Sequence, residues 1–435
     1  MLKSGAMLTA LKRLVPNPIK NTYHFLQALF GALIFFFPSN RTKVIGITGT
    51  DGKTTTVNLV HHILSESGKN SSMISTIGAK IGDKTIDTGL HVTTPDPFIV
   101  QRLLRKIADA GSEFAVLEVT SHGLAQERVA LVRFFAGVIT NIAHEHLDYH
   151  KSYKNYFLSK AKLLNNVKYR ILNADESSFK ELKDLGGGQL VSFGMGKEAD
   201  FKADNLRFRK KGVEFDIRYQ DKKKKGKLTI KSSIPGKFNV YNILAAFAVT
   251  KNLGIDEKKI KDAIEGFRGI EGRMQYIDEG QSFDVIVDFA HTPQALEEAL
   301  KSLEPFKKGR VIAVFGSAGE RDIGKREMMG KVASEHADIS IVTAEDPRGE
   351  DVNKIIDQIA AGAISAGGIP NRTFWKIADR AEAINTAIQT LASSGDTVIL
   401  FGKGHEKSMN IAGEEYPWSD EAIARNALRK RSKTP

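Results

Sequence analysis

One run of thirteen residues, VIGITGTDGKTTT (44–56), carries the densest chemistry in the chain. Gly49, Thr50, Asp51 and Gly52 stand between a β-branched apolar run and a helical pattern. Backbone amides there can turn towards an anion at a helix N-terminus. Lys53 supplies a point positive charge for the β- and γ-phosphates of a nucleotide. Thr54, with Thr55 beside it, offers a hydroxyl to magnesium, as in other loops ending in GKT. The loop predicts nucleotide binding, but alone it does not separate kinase, hydrolase, motor and ligase.

Further groups fall at the ends of other apolar runs. Glu118 closes FAVLEV (114–119) and is a candidate magnesium ligand, because magnesium prefers oxygen donors. His144, Glu145 and His146 follow AGVITNI (136–142). Each histidine reads equally as an active-site group or as a side chain bonded to backbone. Lys160 presents a conflict, since an amine repels magnesium unless it is chemically altered.

The elements that must position these groups are legible as short apolar strands separated by helices. KVIGIT enters the loop, TTTVNLVHHILSESG leaves it as a helix closed by Gly68, and YRILNAD (169–175) adds another strand. That alternation implies a mainly parallel sheet. LRFRKKGVEFDIRY and KLTIKSS alternate instead, and predict antiparallel hairpins at one edge. A second α/β series uses DVIVDF (284–289), RVIAVFG (310–316), ISIVTAE (339–345) and TVILFG (397–402). Its strands end at Asp288, Ser317, Glu345 and Lys403, where open sheets place ligands. EGFRGIEGR (265–273) is the expected hinge.

At 435 residues the chain reads as more than one domain. Its 41% hydrophobic and 26% charged content suits a globular protein. The absence of cysteine excludes disulfides, thiolate metal sites and thiol catalysis, and makes a reducing cytoplasm the default. The net charge of +12 includes a dense run, Lys222–Lys225, read as an exposed hairpin turn. No zinc finger, aromatic RNA-binding signature or arginine-rich helix accompanies it, so no nucleic acid is expected. A positive field also suits a polyanionic small substrate or an anionic membrane surface. HFLQALFGALIFFF (24–37), ended by Pro38 and Ser39, is shorter than the roughly 20 residues a bilayer requires. It reads either as a helix packed on the next domain or as an interfacial anchor, with Lys12, Arg13 and Lys20 just before it.

The ordered motifs GTDGKTTT, HVTTPDP, EVTSHGLAQERV, TNIAHEHLDYH, SKAKLL and GKFNVYNILAA resemble those of the Mur ligases. EGRM, DFAHTP, GSAGERDIGKR, EDPRGED and FGKGHE extend the match, which spans about residues 41–416 and is nearest the MurE group. The resemblance implies a central P-loop ATPase-like α/β domain with a mostly parallel sheet (41–270). It also implies a Rossmann-like amino-acid-binding domain (271–435), with 1–40 as an apolar helical segment. About 40 residues precede KVIGITGT, too few for the family's separate front domain that holds uridine diphosphate.

The implied reaction is ATP-dependent. A carboxylate of a UDP-N-acetylmuramoyl-L-alanyl-D-glutamate-type acceptor becomes an acyl phosphate, and the amine of meso-diaminopimelate attacks it, giving an amide, ADP and phosphate. By resemblance Lys53, Glu118, His146 and Lys160 are catalytic. Thr54 and Glu118 would hold one Mg²⁺, and Glu118, His146 and Lys160 a second. Lys160, rather than Lys162, would carry a carbamate, turning the amine into an oxygen ligand. Thr93, Thr94, Ser121 and Arg128 would contact the acceptor, and Asn239, Arg273, Asp288 and His291 would close on ATP. Arg321, Arg348, Gly402, Gly404, His405 and Glu406 would form the amino-acid pocket with Glu345, Asp346 and Pro347. Arg348 would take the distal carboxylate and Glu406 the distal ammonium.

Three departures stand out. His144-Glu145 replaces the family's arginine-aspartate, Phe289 replaces tyrosine, and Glu345-Asp346 replaces aspartate-asparagine. The last adds a carboxylate that would weaken recognition of a distal carboxylate or favour a more cationic amino acid, which leaves lysine or another amino acid as an alternative. The missing front domain leaves a different cell-envelope or lipid-linked acceptor as an alternative. A basic nucleotide-dependent switch on membrane or nucleic acid is the alternative from another class. A monomer is expected, cytoplasmic or at the inner face of the membrane.

Overall fold

The computed structural model describes residues 17–86, 93–143, 145–221 and 224–433. Two sheets dominate. The first contains β1 (Lys43–Thr48), β2 (Ser71–Ser75), β3 (Gly78–Ile81), β4 (Lys84–Ile86), β5 (Phe114–Glu118) and β6 (Phe134–Ile139). It continues with β7 (Tyr169–Asn173), β8 (Gln189–Gly194), β9 (Phe201–Arg209), β10 (Gly212–Asp221) and β11 (Lys224–Ser232). Their spatial order is β11-β10-β9-β8-β7-β6-β1-β5-β2-β3-β4. Strands β9, β8, β7, β6, β1, β5 and β2 run parallel, each to its neighbour, while β3–β4 and β10–β11 add antiparallel edges.

Strand β1 shows why the parallel centre reads as an unbroken apolar run. Ile45 and Ile47 face a core shared with the helices Lys53–Glu66 and Lys237–Asn252, while Val44 faces the helix Pro97–Asp109. Both faces are covered, so both sets of side chains are apolar. The basic run falls at the β10–β11 hairpin, where Asp221 pairs with Lys224. Lys222 and Lys223 lie outside the described residues.

The N-terminal helix spans Asn17–Ile34, so it starts and stops earlier than the apolar run 24–37 suggested. Phe36 and Phe37 take positive φ (56° and 47°) ahead of Pro38, which disfavours helical geometry in the residue before it. The helix rests on Pro97–Asp109. Among the described residues no helix is long and apolar enough to cross a membrane.

The second sheet comprises β12 (Gln275–Ile277), β13 (Asp284–Asp288), β14 (Val311–Phe315), β15 (Ile339–Val342), β16 (Phe374–Lys376) and β17 (Thr397–Phe401). Its order is β12-β13-β17-β14-β15-β16, parallel except for β12. Apolar clusters cover both its faces. Strands β18 (Ser408–Ile411) and β19 (Glu414–Pro417) form a separate hairpin. Between the sheets, Gly269 and Gly272 turn the chain at φ of 93° and 69°. A Cβ on Gly272 would run into the backbone of Gly404 and His405, so the hinge and the FGKGHE loop touch directly.

Candidate active site

The phosphate loop is built from β1, β6 and the helix that follows it. Gly52 adopts φ 78° at the helix N-terminus, where a Cβ would strike Asn242. Asn141 Oδ1 accepts from the amides of Thr50 (2.9 Å) and Asp51 (2.8 Å), and Thr140 Oγ1 donates to the Asp51 carbonyl (2.6 Å). Thr50 Oγ1 meets the Tyr156 hydroxyl at 2.9 Å. Lys53 Nζ donates to the carbonyls of Gly49 (3.0 Å) and Thr50 (2.6 Å). Burial, and then the nearby Glu145, push the Asp51 carboxyl up to about 6. Thr140 and Asn141, just past the end of β6, and Tyr156, inside the helix Tyr153–Ala161, were missed in the sequence because none of them has a distinctive spacing.

Glu118 is 1% exposed and fully engaged, accepting from Thr54 Oγ1 on one oxygen and from the Thr76 amide on the other, both at 2.9 Å. A hydroxyl and a carboxylate so placed match the hard oxygen donors that magnesium takes. His146 sits at φ 55° with Nε2 3.5 Å from Glu145 Oε2. Desolvation, reinforced by the charges of Lys160 and Lys53, lowers its imidazole to about 3, so the ring is neutral. Lys160 is 1% exposed and donates to the Gly49 carbonyl at 2.5 Å. Burial and the adjacent Lys53 hold its amine well below the usual lysine range. As an amine it is a donor and does not fit a metal. Among the described residues no three histidine or carboxylate groups alone could hold one. His144 lies outside the described residues.

These groups open into a cleft of about 580 Å³ between the two sheets. Thr93, Thr94 and Arg128 line its acceptor side. Thr94 Oγ1 accepts from the Thr120 amide (2.9 Å), and Arg128 Nη1 donates to the Thr94 carbonyl (2.9 Å). Thr93 Oγ1 accepts from Thr76 Oγ1 at 3.1 Å. Ser121 is not among the lining residues, since it is buried with its hydroxyl on His150 Nε2 (3.1 Å).

On the opposite wall stand Arg321, Lys325, Glu345, Asp346, Arg348 and Glu406. Arg348 takes φ 52° and is fixed through its backbone to Asn410 and Ala412 of the β18–β19 hairpin. Asp346 does not stand as a loose negative charge in the pocket. Its Oδ1 accepts from the buried Lys403 Nζ (2.7 Å) and from the Asn410 amide (3.0 Å). Lys403 also reaches Glu406 Oε2 at 2.5 Å, so one ammonium ties together the EDPR and GKGHE loops. Lys403 was noted in the sequence only as a strand end. Lys325, whose Nζ donates to the His291 carbonyl (2.9 Å), was not singled out within GERDIGKR. Burial raises the carboxyl of Glu345, whose Oε2 has no hydrogen-bond partner. Pro347, Gly402, Gly404 and His405 shape these loops without lining the cleft. Desolvation lowers His405 to about 4, and its ring packs against Phe289 at 5.1 Å.

A second cavity, of about 300 Å³, adjoins the first, and both share Asp51, Gly52, Thr55, Arg273, Phe289 and His291. Asn239 and Asp288 line it. The Asp288 carboxylate accepts from the amides of Met274 (2.7 Å) and Ala290 (2.8 Å), so it orders the hinge and the DFAHTP loop. Arg273 donates from Nη2 to Thr54 Oγ1 (3.3 Å) and stacks over Phe289, 4.3 Å from the ring centroid. Phe289 thus supplies a face where a tyrosine hydroxyl was expected. Across the same gap His291 Nε2 is 3.7 Å from Glu145 Oε1, and desolvation lowers its imidazole to about 4.

Both halves of the chain match known proteins. Residues 47–250 match the Mur ligase middle domain, and residues 272–404 match the Mur ligase glutamate ligase domain. The chain is 37% identical over 406 residues to UDP-N-acetylmuramoyl-L-alanyl-D-glutamate--2,6-diaminopimelate ligase 1 of Clostridium acetobutylicum, covering 93% of this chain and 82% of that one. It is 39% identical over 411 residues to the ligase of the same substrates from Thermosynechococcus vestitus, covering 93% and 80%. A solved UDP-N-acetylmuramoyl-L-alanyl-D-glutamate--2,6-diaminopimelate ligase superposes with a TM-score of 0.62 at 30% identity, over 90% of this chain and 79% of that one. With both domain models matched in order and relatives of this similarity over most of its length, the chain belongs to the Mur ligase family.

Proposed function

We propose that this protein is an ATP-dependent ligase that joins meso-diaminopimelate to a UDP-N-acetylmuramoyl-L-alanyl-D-glutamate-type acceptor, a cytoplasmic step of peptidoglycan synthesis. The supporting observation is the single cleft that holds the phosphate loop, the Thr93–Thr94–Arg128 wall and the Arg348–Glu406 wall together. In the first step the acceptor carboxylate oxygen bonds to the γ-phosphorus of ATP, and ADP departs. The diamino acid's amine then attacks the acyl carbon, loses a proton, and the tetrahedral intermediate expels phosphate.

Lys53 compensates charge on the transferring phosphoryl group, and Arg128 orients the acceptor. The neighbouring cavity around Asn239 would take the nucleoside, with Arg273 spanning from it to the phosphates. Arg348 pairs with the distal carboxylate and Glu406 with the distal ammonium, and closure of the cleft would keep water from the acyl phosphate. Thr54 and Glu118 would hold magnesium, which when bound offsets phosphate charge. Lys160, whose buried amine is held well below the usual lysine range, would become an anionic oxygen donor beside Glu118 and His146 if carbamylated.

The test is an amino-acid panel with the nucleotide-sugar dipeptide and ATP, reading ADP release and product mass together. Diaminopimelate should yield the tripeptide mass in step with ADP. ADP without any new amide, or equal use of lysine, would overturn the reading.

A further inference from the structure

The N-terminal helix is amphipathic in the inverse sense for a water-soluble domain. Its small residues face inward, with Ala28, Gly31 and Ala32 buried against the helix Pro97–Asp109. A Cβ on Gly31 would stand 3.1 Å from Gln101 Cβ, and His24 Nδ1 is held at 3.0 Å from the Gln126 carbonyl. Its bulky residues face outward. Ile19, Tyr23, Leu26, Phe30 and Leu33, spaced four and three residues apart, are 55–61% exposed. Phe36, just beyond the helix, is 75% exposed. Scattered apolar residues on a surface need no explanation, but a continuous stripe of this size marks an interaction site.

Charge identifies the occupant. Residues 1–50 contain no aspartate or glutamate, and carry Lys3, Lys12, Arg13, Lys20, Arg41 and Lys43. Among the described residues beside the helix, Asp96, Asp109 and Glu113 are set against Lys20, Arg41, Lys43, Lys69, Arg105 and Arg128, so positive charge is in excess there. A second copy of the same face would oppose like charges around its apolar contact. An anionic bilayer offers the reverse, with hydrocarbon for the stripe and headgroup charge for its rim. The helix is fixed to the protein along its other side and no described helix can cross a membrane, so the seat is interfacial.

We infer that this helix docks the protein on the surface of an anionic lipid bilayer through Ile19, Tyr23, Leu26, Phe30, Leu33 and Phe36. The surface is separate from the cleft, so the inference does not depend on which amino acid is ligated.

The test uses the full chain and sedimentation with vesicles of phosphatidylcholine alone, or with about one third phosphatidylglycerol, an anionic share large enough for the attraction expected near each basic residue. Wild type should pellet with the anionic vesicles at low salt and at least tenfold less with the neutral ones. Leu26→Glu/Phe30→Glu should abolish pelleting while leaving the thermal midpoint and circular dichroism unchanged. Equal pelleting of wild type and variant, or none by wild type, would overturn the inference. So would a lipid-free dimer in sedimentation velocity that the double variant dissociates, because that result assigns the face to a second copy.

Discussion

Replacing Lys403 by methionine removes its charge while keeping much of its length. The lysine side chain is fully buried, with its ammonium 2.7 Å from Asp346 Oδ1 and 2.5 Å from Glu406 Oε2. The variant leaves two carboxylates sharing a space that no longer holds a cation. Removing one partner of a buried ion pair costs about 3–5 kcal/mol. Asp346 keeps the Asn410 amide at 3.0 Å, which favours the lower end, about 3 kcal/mol. For a domain of about 150–250 residues that corresponds to a fall of about 6–12 °C in the melting of the C-terminal half.

Adding Asp346→Asn removes one of the two stranded charges and retains an acceptor for the Asn410 amide. The double variant should therefore recover about half the loss, a coupling of about 1.5 kcal/mol. Thermal unfolding of wild type, both single variants and the double variant completes the cycle. KM for the diamino acid, measured on the same four proteins, should rise at least tenfold in Lys403→Met with KM for ATP unmoved. Strict additivity of the two substitutions, or a Lys403→Met variant as stable as wild type, would refute the bridging role.

Arg348→Ala should lower kcat/KM for diaminopimelate by at least 100-fold but leave the weak use of lysine almost unchanged, since lysine lacks the distal carboxylate; competition between the two substrates reads this directly. Gly272→Ala must strain a left-handed turn and displace the Gly404–His405 backbone, and should cost at least about 2 kcal/mol in denaturant unfolding. His61, bonded to Ser71 Oγ at 3.1 Å, is lowered to about 4 by burial and then by Lys80. The unfolded chain takes up this proton first, so its contribution is complete above about pH 6.5 and is lost as pH falls towards 4. His61→Asn should therefore flatten the stability profile in that window by about 2–3 kcal/mol, measured by urea unfolding at each pH. Glu118→Gln should raise the magnesium concentration needed for half-maximal ADP release at least tenfold, because a neutral amide is a poorer ligand for a hard cation.

The strands that build the site were legible because burial on both faces forces continuous apolar runs, and KVIGIT, FAVLEV and DVIVDF fall where β1, β5 and β13 form. Helix ends were less so. The run 24–37 marks hydrophobicity, whereas the helix is set by the backbone, extending back to Asn17 through polar residues and stopping before the residues that precede Pro38. Residues with a motif around them, such as Thr54, Glu118 and Arg348, were legible as candidates, and all three line the cleft. Their supports were not. Asn141, Tyr156 and Lys325 acquire meaning only when separate elements are brought within hydrogen-bond distance. Asp346 is the clearest case, for its sign alone suggested a weakened pocket, and the buried Lys403 beside it supplies the missing counter-charge.

Arg273 gives the two halves of the molecule a common latch. One guanidinium donates to Thr54 at the mouth of the phosphate loop and sits over the ring of Phe289 beyond the hinge. Swinging the halves apart must break the polar contact or the stacked one. Opening the cleft to exchange a nucleotide would therefore carry the cost of unfastening this latch.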